Sequence, residues 1–153
     1  MSAAGHVKGS PKGLDSLRIV DAHQVAWLDL IGSGAETIAH LRENDRIVFM
    51  FCALDGPPSI LRLRGTASVL TPTDPVWPKW AGRFPDRPGA RAIVRARISR
   101  IGTSCGFGVP LYSFREERDT LPRWAQAKGP DGLPACRAEK NARSIDGVPA
   151  LPE

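Results

Sequence analysis

Two stretches of this 153-residue chain alternate apolar side chains with arginines at a period of two. One is Ser59–Leu70, which reads SILRLRGTASVL, and the other is Ala90–Ile101, which reads ARAIVRARISRI. Successive side chains of a β-strand point to opposite faces of its sheet. The apolar side chains of each stretch therefore share one face, and the arginines share the other. Both stretches are therefore predicted to be long, half-buried strands.

Shorter apolar runs predict three more strands at Leu14–Val20, Val25–Ile31 and Arg46–Ala53. These runs are rich in β-branched and aromatic residues and are bounded by turn-forming residues. The last run is followed by a turn with the sequence DGPP and then by the strand that begins at Ser59. Those two strands are predicted to form a hairpin.

Helices are predicted in two places. Ser33 precedes Glu36 by three residues, which is the S-x-x-E pattern of a capping box and predicts a helix of two to three turns. Arg115–Ala127 is compatible with a second helix, interrupted by Pro122. Residues 71–90 are predicted to be a loop with one helical turn, and residues 128–153 an extended tail.

The order of these elements favours a mainly β (α+β) fold. Too few helices separate the strands for a parallel doubly wound sheet, so a small antiparallel barrel with short helices at its ends fits best. A chain of 153 residues with 42% hydrophobic and 24% charged residues is typical of one soluble globular domain. We predict a single domain over residues 1–153.

Charge and cysteine content exclude several classes of protein. The net charge of +5 and the pI of about 9.6 suit either nucleic acid or a phosphorylated small molecule. Because the arginines are scattered and no nucleic-acid-binding motif accompanies them, we expect a phosphate-bearing cofactor rather than DNA or RNA.

Three widely spaced cysteines predict no disulfide framework, and no apolar run predicts a membrane span or a signal peptide. We expect a cytoplasmic protein.

Five motifs occur in an order that resembles the pyridoxamine 5'-phosphate oxidase-like superfamily. They are SPKG at Ser10–Gly13, GSGAET ending at Thr37, GPP at Gly56–Pro58, SCGFGVP at Ser104–Pro110 and KNARSIDGVPAL at Lys140–Leu151. The resemblance covers nearly the whole chain. It implies a split β-barrel of about six antiparallel strands, a homodimer, and flavin mononucleotide (FMN) bound in a groove between subunits. Some relatives bind a deazaflavin, haem or no cofactor.

The resemblance also implies an oxidoreductase acting on a small-molecule substrate, and a set of phosphate-binding residues. Those residues are Lys12, Ser33, Gly34, Thr37 and Arg62. The glycines of GSGAET and the free N–H groups at a helix start favour an anion, and Lys12 and Arg62 would add charged donors. The alternative is a plain capping box, in which Glu36 places a negative charge at the same point.

The chain departs from flavin-binding relatives at two places. Glu36 and Thr37 stand where those relatives carry an arginine-lysine pair, and Ile60 stands where they carry a flavin-contacting glutamine. The chain also begins where relatives already have a helix and a complete first strand, which is compatible with a shortened N-terminus. These departures favour the alternative function, a non-catalytic homodimer that binds a small ligand or has lost its cofactor.

Other candidate chemistry is weaker. The three histidines share no metal-ligand spacing with each other or with the cysteines, so no metal site is predicted. Cys105 lies in a glycine-rich turn with no histidine near it in sequence, and a structural loop is the preferred interpretation. Trp77, Trp80 and Phe84 are expected to seal the fold rather than stack on a planar ligand. No catalytic residue is predicted.

Overall fold

The computed structural model describes residues 5–151. Predictions that concern the first four residues and the last two lie outside this range. The element order is β1 (Leu17–Asp21), β2 (Gln24–Leu30), α1 (Glu36–Asn44), β3 (Arg46–Cys52), β4 (Ile60–Leu70), α2 (Trp77–Ala81), β5 (Ala90–Ser104) and α3 (Thr120–Asn141). The strands form one antiparallel sheet in the order β1-β2-β5-β4-β3.

The predicted α+β class and antiparallel sheet are confirmed. The described residues contain five strands, whereas about six were expected, and the segment before β1 has no regular structure. The sheet curls as a split barrel does, because its two edge strands contribute to the same core. Leu17 of β1 and Phe49 of β3 both pack against the cluster that contains Trp27 and Val94.

A β-bulge bends the pairing of the two longest strands. The register between β4 and β5 shifts at Arg64 and Gly65. A Cβ atom at Gly65 would overlap the backbone oxygen of Arg97, so only glycine lets the two backbones approach this closely. The alternating pattern therefore continues through the bend, and Ala67 is buried beyond it.

Helix α1 has the predicted length but not the predicted cap. It begins at Glu36 with Ala35 as its N-cap, and no side-chain cap hydrogen bond is found among the described residues. Ser33 lies before the N-cap position, so the capping box is not formed. The prediction was wrong because the loop takes two more residues, Gly34 and Ala35, to turn from β2 into the helix.

The aromatic residues of the loop that follows β4 pack on the sheet. Phe84 is buried with Leu28 and Ile93, and Trp77 and Trp80 pack against that cluster. The packing of these aromatic side chains on the sheet agrees with a sealing role.

Among the described helices, none is long and apolar enough to cross a membrane.

Helix α3 continues well beyond its predicted end. The expected extended tail from residue 128 is wrong as far as Asn141, where the helix ends. The helix is kinked at Gly129, which has φ 65° and ψ −177°. The kink places Pro130 at the start of a new helical segment, where its missing N–H is not needed. After the helix, Ala150 and Leu151 return to pack against Ile38 and Ala39 of α1.

Candidate functional site

The loop between β2 and α1 forms one wall of a cavity of about 280 Å³. Residues 10–14 and Ser16 form another wall, and Asp29 and Arg91 also line the cavity. Four of the five residues predicted to bind phosphate line this space, namely Lys12, Ser33, Gly34 and Thr37. We call it the Lys12 cavity. The structure therefore brings these four residues together from two separate parts of the chain.

A buried ion pair supports the loop. Arg91 Nε donates to Asp29 Oδ2 at 2.9 Å, and Arg91 Nη2 donates to the carbonyl oxygen of Gly34 at 2.8 Å. Arg91 thus ties the start of β5 to both β2 and the loop. Its third nitrogen, Nη1, is buried and has no hydrogen-bond partner within residues 5–151. A buried guanidinium N–H without a partner is costly, so an acceptor in the cavity would stabilise it.

Burial shifts the pKa values of Asp29 and Lys12, which both line the cavity. It raises the pKa of Asp29, although Arg91 and Lys12 act in the opposite direction. It lowers the pKa of Lys12, and the attraction of Asp29 only partly offsets this effect. Lys12 Nζ lies 3.9 Å from Asp29 Oδ1 and 4.2 Å from the centre of the Trp27 ring. The ammonium group is therefore held over an aromatic face beside a buried carboxyl group.

Glu36 places a second carboxylate at the cavity. Its Oε2 atom lies 3.3 Å from Lys8 Nζ. A Cβ atom at Gly34 would lie only 2.7 Å from the same oxygen. The Glu36 carboxylate therefore lies against the loop at Gly34, where the absence of a side chain leaves room for it. The cavity is thus lined by the cationic groups of Lys8, Lys12 and Arg91 and by the carboxyl groups of Asp29 and Glu36.

Arg62 does not line the Lys12 cavity. It pairs in register with Gly102 on β5, near the opposite end of that strand from Arg91, and its Nη1 atom donates to Ser104 Oγ at 2.9 Å. The structure of one chain therefore separates Arg62 from the other four residues. Any contribution of Arg62 to this site would have to come from a second copy of the chain.

The sequence interpretation did not identify Asp29, Arg91 or Lys8 as site residues. Asp29 is the one acidic residue within the apolar run VAWLDLI, and a charge in a buried strand is a usable signal because it needs a partner. Arg91 is one arginine of an alternating strand, and the alternation does not distinguish it from the others. Lys8 lies in a segment without any pattern. No cluster of three metal-ligating side chains occurs in the part of the chain that the structure describes.

The chain is 38% identical over 163 aligned positions to the pyridoxamine 5'-phosphate oxidase family protein ustO of Aspergillus flavus, a match that includes 95% of this chain. The chain spans 66% of the length of that relative. No family model matches the chain.

Tagged HupZ of group A Streptococcus is 22% identical, with a TM-score of 0.46 over 59% of this chain and 70% of that chain. A point variant of the same streptococcal protein gives the same identity and TM-score over 58% and 73%. From the sequence relationship to the Aspergillus protein, this chain belongs to the pyridoxamine 5'-phosphate oxidase-like family.

Proposed function

We propose that this protein binds a flavin, FMN or a deazaflavin, with the phosphate in the Lys12 cavity, and that it acts as an oxidoreductase on a small molecule. The observation that carries the proposal is Arg91, which lines the same cavity as Lys12 and the glycine loop and has a buried Nη1 atom without a hydrogen-bond partner among the described residues. A phosphate oxygen is a strong acceptor for a guanidinium donor. The free N–H groups at the start of α1 favour an anion at the same place.

The residues of the Lys12 cavity suit a phosphate group. Lys8, Lys12 and Arg91 would hold its oxygens, and Ser33 and Thr37 offer hydroxyl donors. A bound flavin supplies the redox chemistry, since its ring carries the electrons and the protein supplies binding and orientation. The family resemblance implies a groove between two subunits for the flavin.

A homodimer is part of the proposal. Strand β3 is an edge of the sheet, and its Val48 and Met50 side chains are exposed on the same face as Arg62 and Arg64 of β4. An exposed apolar edge strand is a surface that natural proteins usually cover. Covering it with a second copy would remove the edge and complete the groove. The cytoplasmic location and a small-molecule substrate stay predictions.

The cofactor-free homodimer is the second candidate. The observation that favours it is Glu36, whose carboxylate lies over the loop where flavin-binding relatives carry a basic pair. A carboxylate beside a phosphate costs binding energy unless a cation separates them, and Lys8 is the cation in this position. The two candidates therefore differ in whether the attraction of Lys8 and Lys12 for a phosphate exceeds its repulsion by Glu36.

Titration of the purified protein with FMN and with riboflavin, followed by flavin fluorescence, tests the proposal. Riboflavin lacks the phosphate, so FMN should bind at least tenfold more tightly. Lys12→Ala should remove a charge-assisted contact and weaken FMN about tenfold or more, whereas riboflavin affinity should change little. Lys79→Ala is the matched control, because Lys79 is an exposed lysine of α2 that does not line the cavity. Equal binding of FMN and riboflavin would refute the phosphate site, and binding of neither would favour the cofactor-free dimer.

A further inference from the structure

The face of the sheet that points away from the core carries a group of arginines. Residues that are paired across strands share a face, and the core cluster around Trp27 and Val94 identifies the inner one. Alternation along β3, β4 and β5 then assigns six arginines to the outer face. They are Arg46, Arg62, Arg64, Arg95, Arg97 and Arg100. We call this surface the arginine face.

Strand register brings these arginines close together, although they are scattered in the sequence. Arg64 lies directly opposite Arg100 in the pairing of β4 with β5. Arg97 lies opposite Thr66, which in turn lies opposite Arg46 on β3. Residues two apart on one strand are separated by roughly 6.6 Å, and neighbouring strands by about 4.8 Å. The positive charges therefore form one continuous patch.

Within residues 5–151, none of the six arginines forms an ion pair with a carboxylate. The other outer-face positions beside them are apolar or neutral, such as Val48 and Met50 on β3 and Ser68 on β4. Like charges directly opposite each other in a sheet are destabilising. The pair of Arg64 and Arg100 therefore opposes folding, and an anion in contact with both would relieve the repulsion.

One end of the arginine face lies under helix α2. The guanidinium carbon of Arg95 lies 5.1 Å from the centre of the Trp80 ring, and Arg95 is half-buried there. Asp74 lies near Arg95, but its carboxylate accepts hydrogen bonds from Thr71. The fully exposed arginines of the face are Arg46, Arg64, Arg97 and Arg100.

A phosphate backbone matches this surface. A guanidinium can donate two parallel hydrogen bonds to a phosphate, and hydroxyl groups such as those of Thr66 and Ser68 are neutral donors to phosphate and sugar oxygens. Regularly spaced phosphates also match regularly spaced cations. A second copy of the chain packed face to face is disfavoured, because it would add the same positive charges to one interface.

The curvature of the sheet favours a single strand over a duplex. The outer face is convex, because the edge strands curl toward a common core on the other side. Duplex DNA is stiff, with a persistence length of roughly 50 nm, so it would contact a small convex surface at few points. A single strand is flexible enough to follow the curve and reach several arginines.

We propose that the arginine face binds the sugar-phosphate backbone of a single-stranded nucleic acid without sequence preference. Arg64, Arg97 and Arg100 contact its phosphates, and the bound strand neutralises the repulsion between Arg64 and Arg100. The proposal does not rest on the flavin site, because no residue of the arginine face lines the Lys12 cavity.

Fluorescence anisotropy with a labelled oligodeoxythymidylate of about 20 nucleotides, longer than one site of roughly 4–16 nucleotides, tests the class of ligand. The protein should bind it at low salt. For four phosphate contacts, the logarithm of the association constant should fall against the logarithm of the salt concentration with a slope of about −3. The absence of binding at low salt, or a slope near zero, would overturn the proposal.

Two comparison ligands test the choice of partner. They are a DNA duplex of the same length and vesicles of phosphatidylcholine with phosphatidylserine. Compared per accessible phosphate, both should bind more weakly than the single strand. Tighter binding of the duplex would refute the argument from curvature, and tighter binding of the vesicles would assign the face to an anionic membrane surface.

Matched double variants test the location. Arg97→Gln with Arg100→Gln should weaken oligodeoxythymidylate binding about tenfold or more and make the salt slope shallower by about 1.4. Arg115→Gln with Arg118→Gln removes the same charge from the exposed segment before α3 and should have little effect. All four arginines are exposed, so the fold should be unchanged in both variants. Equal effects of the two double variants would show that only net charge matters and would refute the location.

Sedimentation velocity and FMN titration of the first double variant separate this proposal from the proposed function. Arg97 and Arg100 lie on β5, two strands from the edge strand β3, and outside the Lys12 cavity. The oligomeric state and the FMN affinity should therefore match those of the wild-type protein. A changed oligomeric state would place these arginines in a subunit interface and overturn the proposal. Oligonucleotide binding by a protein that does not bind FMN would support the arginine face and refute the flavin site alone.

Discussion

Arg91 Nε donates to Asp29 Oδ2 at 2.9 Å although the two residues are only 5% and 2% exposed. The pair joins β5 to β2 and, through Arg91, holds the carbonyl oxygen of Gly34. Removing one partner of a buried ion pair leaves an uncompensated buried charge. This pair is therefore both a support of the candidate site and a weak point of the fold.

Asp29→Ala should lower the free energy of unfolding by about 3–5 kcal/mol, because it leaves Arg91 buried without a counter-charge. Urea unfolding measures the change. The double variant Asp29→Leu with Arg91→Met should recover most of the loss, since well-packed apolar residues often replace a buried ion pair without penalty. A single variant that loses less than about 1 kcal/mol would show that the pair does not contribute as the burial indicates.

Phosphate binding should weaken in alkaline solution at a pH below that of an ordinary lysine titration. Burial lowers the pKa of Lys12 from its ordinary value of 10.5, with Arg91 and Lys8 acting in the same direction and Asp29 opposing them. Lys12 carries its charge only below its pKa, so affinity for the phosphate dianion falls as the pH rises through the lowered value. Calorimetry with inorganic phosphate between pH 8 and 11 measures the profile.

Lys12→Arg is the control for this pH profile. A guanidinium stays charged throughout the range, so the alkaline loss of phosphate affinity that Lys12 causes should disappear in the variant. If wild-type protein and Lys12→Arg lose affinity at the same pH, another group is responsible.

Glu36→Gln should raise the affinity for phosphate or FMN several-fold. The change removes the carboxylate that lies over Gly34 and leaves Lys8 free to contact an anion. Glu43→Gln, on the exposed surface of the same helix, has the same charge change and should have little effect. Fluorescence titration with FMN compares the two. A fall in affinity on Glu36→Gln would mean that Glu36 orients Lys8 rather than repelling the ligand.

Met50→Glu should shift the protein from dimer to monomer at micromolar concentration. Met50 is 60% exposed on the edge strand β3, and a charge there would be buried by a partner that covers this edge. Ile145→Glu is the control, because Ile145 is 70% exposed in the segment after α3. Sedimentation velocity distinguishes the species. A wild-type protein that sediments as a monomer would contradict the proposed dimer.

Local sequence patterns predicted most of the sheet. The alternation in Ser59–Leu70 and Ala90–Ile101 placed β4 and β5 nearly to their ends, because burial of one face imposes the period of two. The helix after Ser33 was also predicted, but its first residue was not. A capping pattern indicates that a helix begins nearby, whereas the path of the backbone out of β2 sets where the helical turn closes.

The helix near the end of the chain was predicted to end too early. Pro130 and Pro134 lie inside α3, although proline normally interrupts a helix. The positive φ of Gly129 resolves the conflict, because it lets the chain restart a helix with Pro130 in its first turn. Burial of Cys136 and Asn141 against the rest of the molecule then supports the new segment.

By itself, the sequence determined which residues alternate, which segments turn and which family the motifs resemble. It placed Lys12 and the glycine loop together because the family pattern does so. Only the tertiary structure decided that Arg91 rather than Arg62 completes the cavity of the same chain. The two arginines follow the same alternation, but β5 carries Arg91 beside Asp29, which is 62 positions away. A local period fixes the face of a sheet on which a side chain lies, whereas strand register fixes which residues it meets there.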